Sequence, residues 1–376
     1  MVGQLVLGQW ILGMTLWGCL SVGSVGAQDV SSTDLDKSIQ QAIRFLQSQQ
    51  ADNGMIAAEM GPGITALAVT GALRCGESAE SPWIAKALAA VETYVKPDGG
   101  IYGNGRLKNY ETCIAIICFV EANQAGRYNA LLDKAKKFVT SLQYGVGNAP
   151  DHAQWDGGAT YGGQGRPDLS NTVYLVEALH ALDAGANDPH VQAALAFISR
   201  CQNLDSPHNP TPFAAKIGDG SFYYEIPTES IDPTTDPERY TPNGGIRGYG
   251  SMTYAAYKSM IYAGLTEADP RVAAALRWIK ETYTVDANPN MGEAGLYFYY
   301  QTFGTALRAA GVDQVVDSQG TARNWRLDLA TALQKRQAAD GSWSNTNRRW
   351  LENEKALATS FALLALANCR PPADSK

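Results

Sequence analysis

One arrangement recurs along this chain and constrains its fold more than any other feature. A helix-like stretch ends near Gln, a tight Asp-Gly or Asn-Gly turn follows, and a Thr-led apolar helix comes next. The clearest copy is Gln337-Ala-Ala-Asp340-Gly341-Ser-Trp343, followed by Thr359-Ser-Phe-Ala-Leu-Leu-Ala-Leu. Similar turns stand at Asn53-Gly54, Asp98-Gly99, Asp156-Gly157 and Asp219-Gly220, with a degenerate copy at Met291-Gly292. A repeat of this length describes an array of supersecondary units, each too small to bury its own apolar face.

Each unit reads as two helices of different character. The first members span 36–49, 82–95, 131–143, 189–202, 270–283 and 325–337, and mix charged with apolar residues at helical spacing, as in Lys134-Ala-Lys-Lys-Phe138-Val-Thr-Ser-Leu142. That is an amphipathic pattern with one wet face. Pro82, Pro189 and Pro270 sit where proline is tolerated, at a helix start. The second members, 112–121, 172–182, 253–264 and 359–366, are apolar on nearly every face, as a helix buried inside a larger core must be. With Thr65 and Thr302 taken as the remaining inner starts, the chain holds about six outer-inner pairs. The expected fold is all-α, an α/α toroid in which the apolar helices form the inner ring.

The chain of 376 residues carries no polar linker that would divide the array, so residues 28–376 are expected to form a single toroid domain. Residues 203–251, with seven of the 17 prolines, read as a long loop insertion within the fourth unit, and a loop of that length is usually functional. Residues 1–27 have no charged side chain and end in Val25-Gly-Ala27, which reads as a signal peptide or an N-terminal anchor. An exported protein, periplasmic or extracellular and possibly membrane-associated through residues 1–27, is the expectation. The net charge of −7 and the lack of any basic run exclude nucleic acid as a default partner. Past the leader the cysteines are odd in number and irregularly spaced, as for buried small hydrophobes.

The Gln-x-x-Asp-Gly-x-Trp turns and the Thr-led helices resemble the prenyltransferase and squalene-cyclase repeat superfamily, over about residues 36–369. The resemblance implies a terpenoid cyclase-like ring and an isoprenoid or other apolar ligand in its centre. In the proton-initiated cyclases an Asp-x-Asp-Asp-Thr motif opens an inner helix, and its middle Asp protonates the substrate. Here the matching stretch is Asp168-Leu-Ser170-Asn171-Thr172. A serine hydroxyl cannot protonate an alkene, which requires a strong, desolvated carboxylic acid. The resemblance therefore implies the scaffold without that activity. The zinc ligands of the related protein prenyltransferases are not matched by His152, His180, His190 or His208, so no metal and no cofactor is expected. Arg74-Cys75-Gly76-Glu77-Ser78 likewise lacks the Gln of the thioester motif found in complement-like rings.

In a closed ring the turns and inner-helix starts gather at one mouth, where free N–H groups create a positive potential. Candidate pocket residues are Trp155, Asp156, Ser170, Asn171, Arg247, Tyr249, Tyr254, Tyr299, Tyr300 and Trp343, with Tyr161, Ser251 and Trp350 beside them. The candidates for chemistry are Asp168, Lys258, Glu111 and Glu293. Tyr254 and Lys258 are four residues apart and share a helix face, so Tyr249, Tyr254, Lys258 and Tyr300 are expected to line one pocket near Asp168 and Asn171. A buried Lys258 needs a carboxylate partner, for which Glu293 and Glu111 are the candidates. Two alternatives stand beside the apolar-ligand protein. One is an exported carbohydrate-active lyase or hydrolase, which needs two carboxylates across a cleft or a base with a charge-neutralising group. The other is a non-catalytic interaction scaffold.

Overall fold

In the computed structural model, residues 32–147, 149–229 and 231–370 are described. The leader expected at residues 1–27 lies outside them. Six inner helices, α2 (Gly63–Arg74), α4 (Lys108–Glu121), α6 (Leu169–Ala181), α9 (Gly250–Tyr262), α11 (Leu296–Ala309) and α13 (Lys355–Cys369), pack each against the next. The last returns to the first, α13 against α2, so the inner ring is closed. Outside it lie α1 (Ser32–Ser48), α3 (Pro82–Glu92), α5 (Asn129–Leu142), α7 (Pro189–Arg200), α10 (Pro270–Glu281) and α12 (Trp325–Arg336). A short helix, α8 (Ala214–Ile217), lies in the insertion, and the strands β1 (Val315–Val316) and β2 (Ala322–Arg323) form a small antiparallel hairpin.

The repeat residues explain how one unit is joined to the next. Each Gln amide donates twice. Gln143 Nε2 reaches the carbonyl of its own turn glycine, Gly157, at 2.9 Å and that of His190 in the following outer helix at 3.0 Å. Gln50 does the same with Gly54 and Trp83, Gln202 with Gly220 and Arg271, and Gln337 with Gly341 and Ser38. The last of these joins the final unit to α1 and closes the outer ring. The turn glycines have φ between 79° and 91° at Gly54, Gly99, Gly157, Gly220 and Gly341, where only glycine is unstrained. A Cβ at Gly157 would also collide with the main chain of α7 at Ala193.

The threonines couple turn to inner helix. Thr65, Thr112, Thr172, Thr253 and Thr359 each accept, at 2.9 to 3.1 Å, the N–H of the residue that follows the turn: Ile56, Ile101, Ala159, Phe222 and Trp343. This corrects their expected position. They do not open the helices but sit about a turn inside them, because the hydroxyl must reach back to the turn. In the fifth unit Thr302 bonds only its own helix, at the Tyr299 carbonyl. All five cysteines in the described residues are buried and unpaired.

Candidate functional site

The inner-helix N-termini surround a central cavity of about 310 Å³. Its lining follows the repeat. The residue two before the coupling threonine faces the cavity in five helices: Gly63, Tyr110, Ser170, Ser251 and Leu357. The residue two after it does so at Leu67, Tyr174 and Phe361, and Glu111, Ile64 and Met252 complete this layer. Phe298 comes from α11, Leu107, Met60 and Tyr161 from connecting loops, and Tyr224 and Tyr249 from the insertion. The walls are thus mainly aliphatic and aromatic. Glu111 is the one charged side chain among these lining residues.

Glu111 Oε2 accepts the Gly103 N–H at 2.8 Å, and its other oxygen lies against Gly61. Burial raises its pKa in spite of that hydrogen bond. Asp168 caps α6. Its two oxygens accept the backbone and side-chain N–H groups of Asn171, each at 2.8 Å. Burial pushes its carboxyl up to about 7, against the effect of those bonds and of one from Tyr224. Tyr224 is brought here by the insertion, whose main chain receives the Leu169 N–H at 2.7 Å. Asp168 and Asn171 thus bond each other behind the wall, and Ser170, between them in sequence, faces the cavity.

The rim is apolar. Tyr161, Trp350 and Leu351, three of the four large hydrophobic side chains exposed in the described residues, all border the cavity. Trp350 stacks on Tyr249, ring centroids 6.4 Å apart, although Trp350 and Leu351 both have left-handed backbones, with φ of 58° and 63°. Such positions cost about 1–3 kcal/mol each and persist only where the surroundings hold them. Glu352 is the anchor. It is fully buried and receives the Phe298 N–H at 2.8 Å and the Asn345 Nδ2 at 2.9 Å, which ties the loop to the start of α11.

Several expected pocket residues lie elsewhere. Lys258 is buried, but its partner is Glu177, at 2.5 Å, not Glu111 or Glu293. Glu177 is nine residues past Asp168 on the same element, about 13 Å deeper at helical rise. It borders a small lower space with Arg74 and Gln301, and Leu67 and Tyr174 line both that space and the main cavity. Burial pushes the Glu177 carboxyl up, but Lys258 and then Arg74 outweigh it and hold it below its ordinary value. Tyr254 packs between helices against Tyr299 and Phe303, at 5.6 and 5.0 Å. Tyr299 and Tyr300 point away from the cavity, donating to the Thr284 and Val285 carbonyls at 2.7 Å. The reason is register: Phe298 faces the lumen in the layer of Tyr174 and Phe361, with ring centroids 6.2 and 5.6 Å away, and this turns Tyr299 and Tyr300 outward. Trp343 is wholly buried, with Nε1 on the Leu333 carbonyl at 2.8 Å. Trp155 packs against Tyr144 and His152, while Asp156, Arg247 and Glu293 are exposed and do not line the cavity.

No known family profile matches the chain, and no curated protein matches it significantly. Solved structures do match. The type II terpene cyclase MstE from Scytonema, in its apo form, is 13% identical with a TM-score of 0.54, covering 89% of this chain and 97% of that one. A substituted form of that cyclase, in complex with geranylgeranyl dihydroxybenzoate, is 12% identical with a TM-score of 0.52, covering 89% and 97%. A possible member of the GH105 family from Klebsiella pneumoniae is 10% identical with a TM-score of 0.55, covering 95% of this chain and 98% of that one. At such identities the likeness establishes a shared α/α toroid.

Proposed function

We propose that this protein binds an isoprenoid or similarly apolar small molecule in the central cavity. One observation carries the reading: the cavity is lined mainly by aliphatic and aromatic side chains, with a single carboxyl and a few hydroxyls placed among them. An apolar lining with few polar groups favours a hydrophobic ligand and orients it by its one polar end. Glu111, Tyr161 and Tyr224 are the groups that meet that end, with Asp168 behind the tyrosines. The Scytonema cyclase, which shares the toroid, binds a geranylgeranyl compound, and this supports the same class of ligand here.

Ser170 occupies the lumen-facing position at which the cyclases carry their acid, so the reading does not include cyclisation initiated from that position. The carbohydrate reading has less support, because Glu111 alone lines the cavity where hydrolysis across a cleft uses two carboxylates. Residues 1–27 are proposed to direct export or anchoring, which N-terminal sequencing of the mature protein would test.

The ligand class is tested by titrating the protein with geranylgeraniol and following tryptophan emission, since Trp350 borders the cavity. A saturable change is expected, and Leu67→Trp, which intrudes on the cavity, should weaken it. No response to geranylgeraniol, alongside a response to oligosaccharides, would reverse the assignment.

A further inference from the structure

The insertion builds a second cavity, of about 660 Å³, on the outside of the ring. Arg200 and Gln154 contribute from the ring side, and Phe213, Lys216, Ile226 and Ile231 from the insertion. The wall is a constructed one. Asn209 Nδ2 holds the Gln202 carbonyl at 2.6 Å, Asn243 Nδ2 holds that of Lys216 at 2.9 Å, and Asn203 Nδ2 holds that of Ile246 at 2.8 Å. Arg200 is fixed by its Nε on the Gln154 carbonyl at 3.2 Å and by one terminal nitrogen on the Asp156 carbonyl. Both of those acceptors are neutral. Among the described residues neither Arg200 nor Lys216 forms an ion pair. Burial lowers the Arg200 pKa, and the Coulombic pull of Cys201, Asp156 and Tyr223 compensates only in part. A partly desolvated guanidinium without a carboxylate gains most from a bound anion. The one lining carboxylate, Glu229, is exposed.

We propose that this outer cavity binds an organic anion whose carboxylate or phosphate meets Arg200 and Lys216 and whose apolar body rests on Phe213, Ile226 and Ile231. The site is separate from the central cavity and does not depend on the function assigned to it.

Calorimetric titration of the full chain tests this, with octyl phosphate and octanoate as probes and octanol and inorganic phosphate as controls. At least one of the two amphiphilic anions should bind more tightly than either control, and the stronger identifies the headgroup. Lys216→Met should weaken that binding about tenfold, the scale of one charge-assisted hydrogen bond, and Arg200→Gln should weaken it further. Leu67→Trp in the central cavity should leave it unchanged. Octanol binding as tightly as the anions, no binding of either anion, equal affinity in folded Lys216→Met, or loss of binding in Leu67→Trp would each overturn the proposal.

Discussion

Asp168 is a buried carboxyl whose chemistry is set by its surroundings. Its folded value of about 7 lies above the ordinary 3.8, so folding favours the neutral acid. The stability this contributes is full below the ordinary carboxylate range and fades as pH rises through about 7. Asp168→Asn, which does not titrate, should therefore gain on the parent by up to about 1.4 kcal/mol per pH unit between roughly pH 4 and 7, measured by denaturant unfolding at a series of pH values. A difference that is flat with pH would mean that Asp168 ionises normally in the folded protein. Lys258 presents the opposite case, a charge stabilised by its partner. Lys258→Met leaves Glu177 buried with Arg74 as its remaining cationic neighbour, and should cost about 3–5 kcal/mol. The double replacement Lys258→Met with Glu177→Leu should recover much of that loss in the same unfolding assay. That pair was open to sequence reading in one respect: Glu177 and Lys258 each stand five residues after the coupling threonines Thr172 and Thr253. Aligning the inner helices on their threonines would have indicated Glu177 in place of Glu111 or Glu293.

The helices themselves were legible because their signals are local. Amphipathic and all-apolar spacing, prolines at helix starts and glycines in left-handed turns each act over a few residues. The phase of the inner helices was less so, since it depends on where the threonine hydroxyl bonds, and that partner lies in a turn 9 to 31 residues away. The slip in α11 follows from the same cause: Thr302 resembles a coupling threonine, but its hydroxyl bonds only the Tyr299 carbonyl of its own helix. Tyr299 and Tyr300 were consequently expected on the wrong face, and Tyr110, Tyr174 and Phe361 were missed although they stand at regular offsets from Thr112, Thr172 and Thr359. Tyr224 had no comparable signal, because the insertion brings it in over a long distance. At this scale the account predicts that Thr359→Val, which leaves the Trp343 N–H buried without its acceptor, lowers stability by about 1–3 kcal/mol. The same exchange at Thr302, whose hydroxyl bonds only its own helix, should cost less. Equal costs at both positions, by thermal or denaturant unfolding, would remove the coupling role from the repeat threonine.

Closure of the ring makes the cavity. With α13 packed on α2 and Gln337 joined to α1, the six inner N-termini are held around one axis, and side chains far apart in sequence converge there. The shape of the ring says little about chemistry, since a terpene cyclase and a possible member of the GH105 family both share it. The lining is what the proposed reading rests on: Ser170 at the lumen, one carboxyl at Glu111, and an exposed apolar rim at Tyr161, Trp350 and Leu351. Native mass spectrometry of the full-length protein tests this most directly, run after incubation with a mixture of geranylgeraniol and a neutral oligosaccharide. The account predicts a one-to-one geranylgeraniol adduct that is diminished in Leu67→Trp. An oligosaccharide adduct instead, or a geranylgeraniol adduct unaffected by Leu67→Trp, would contradict it.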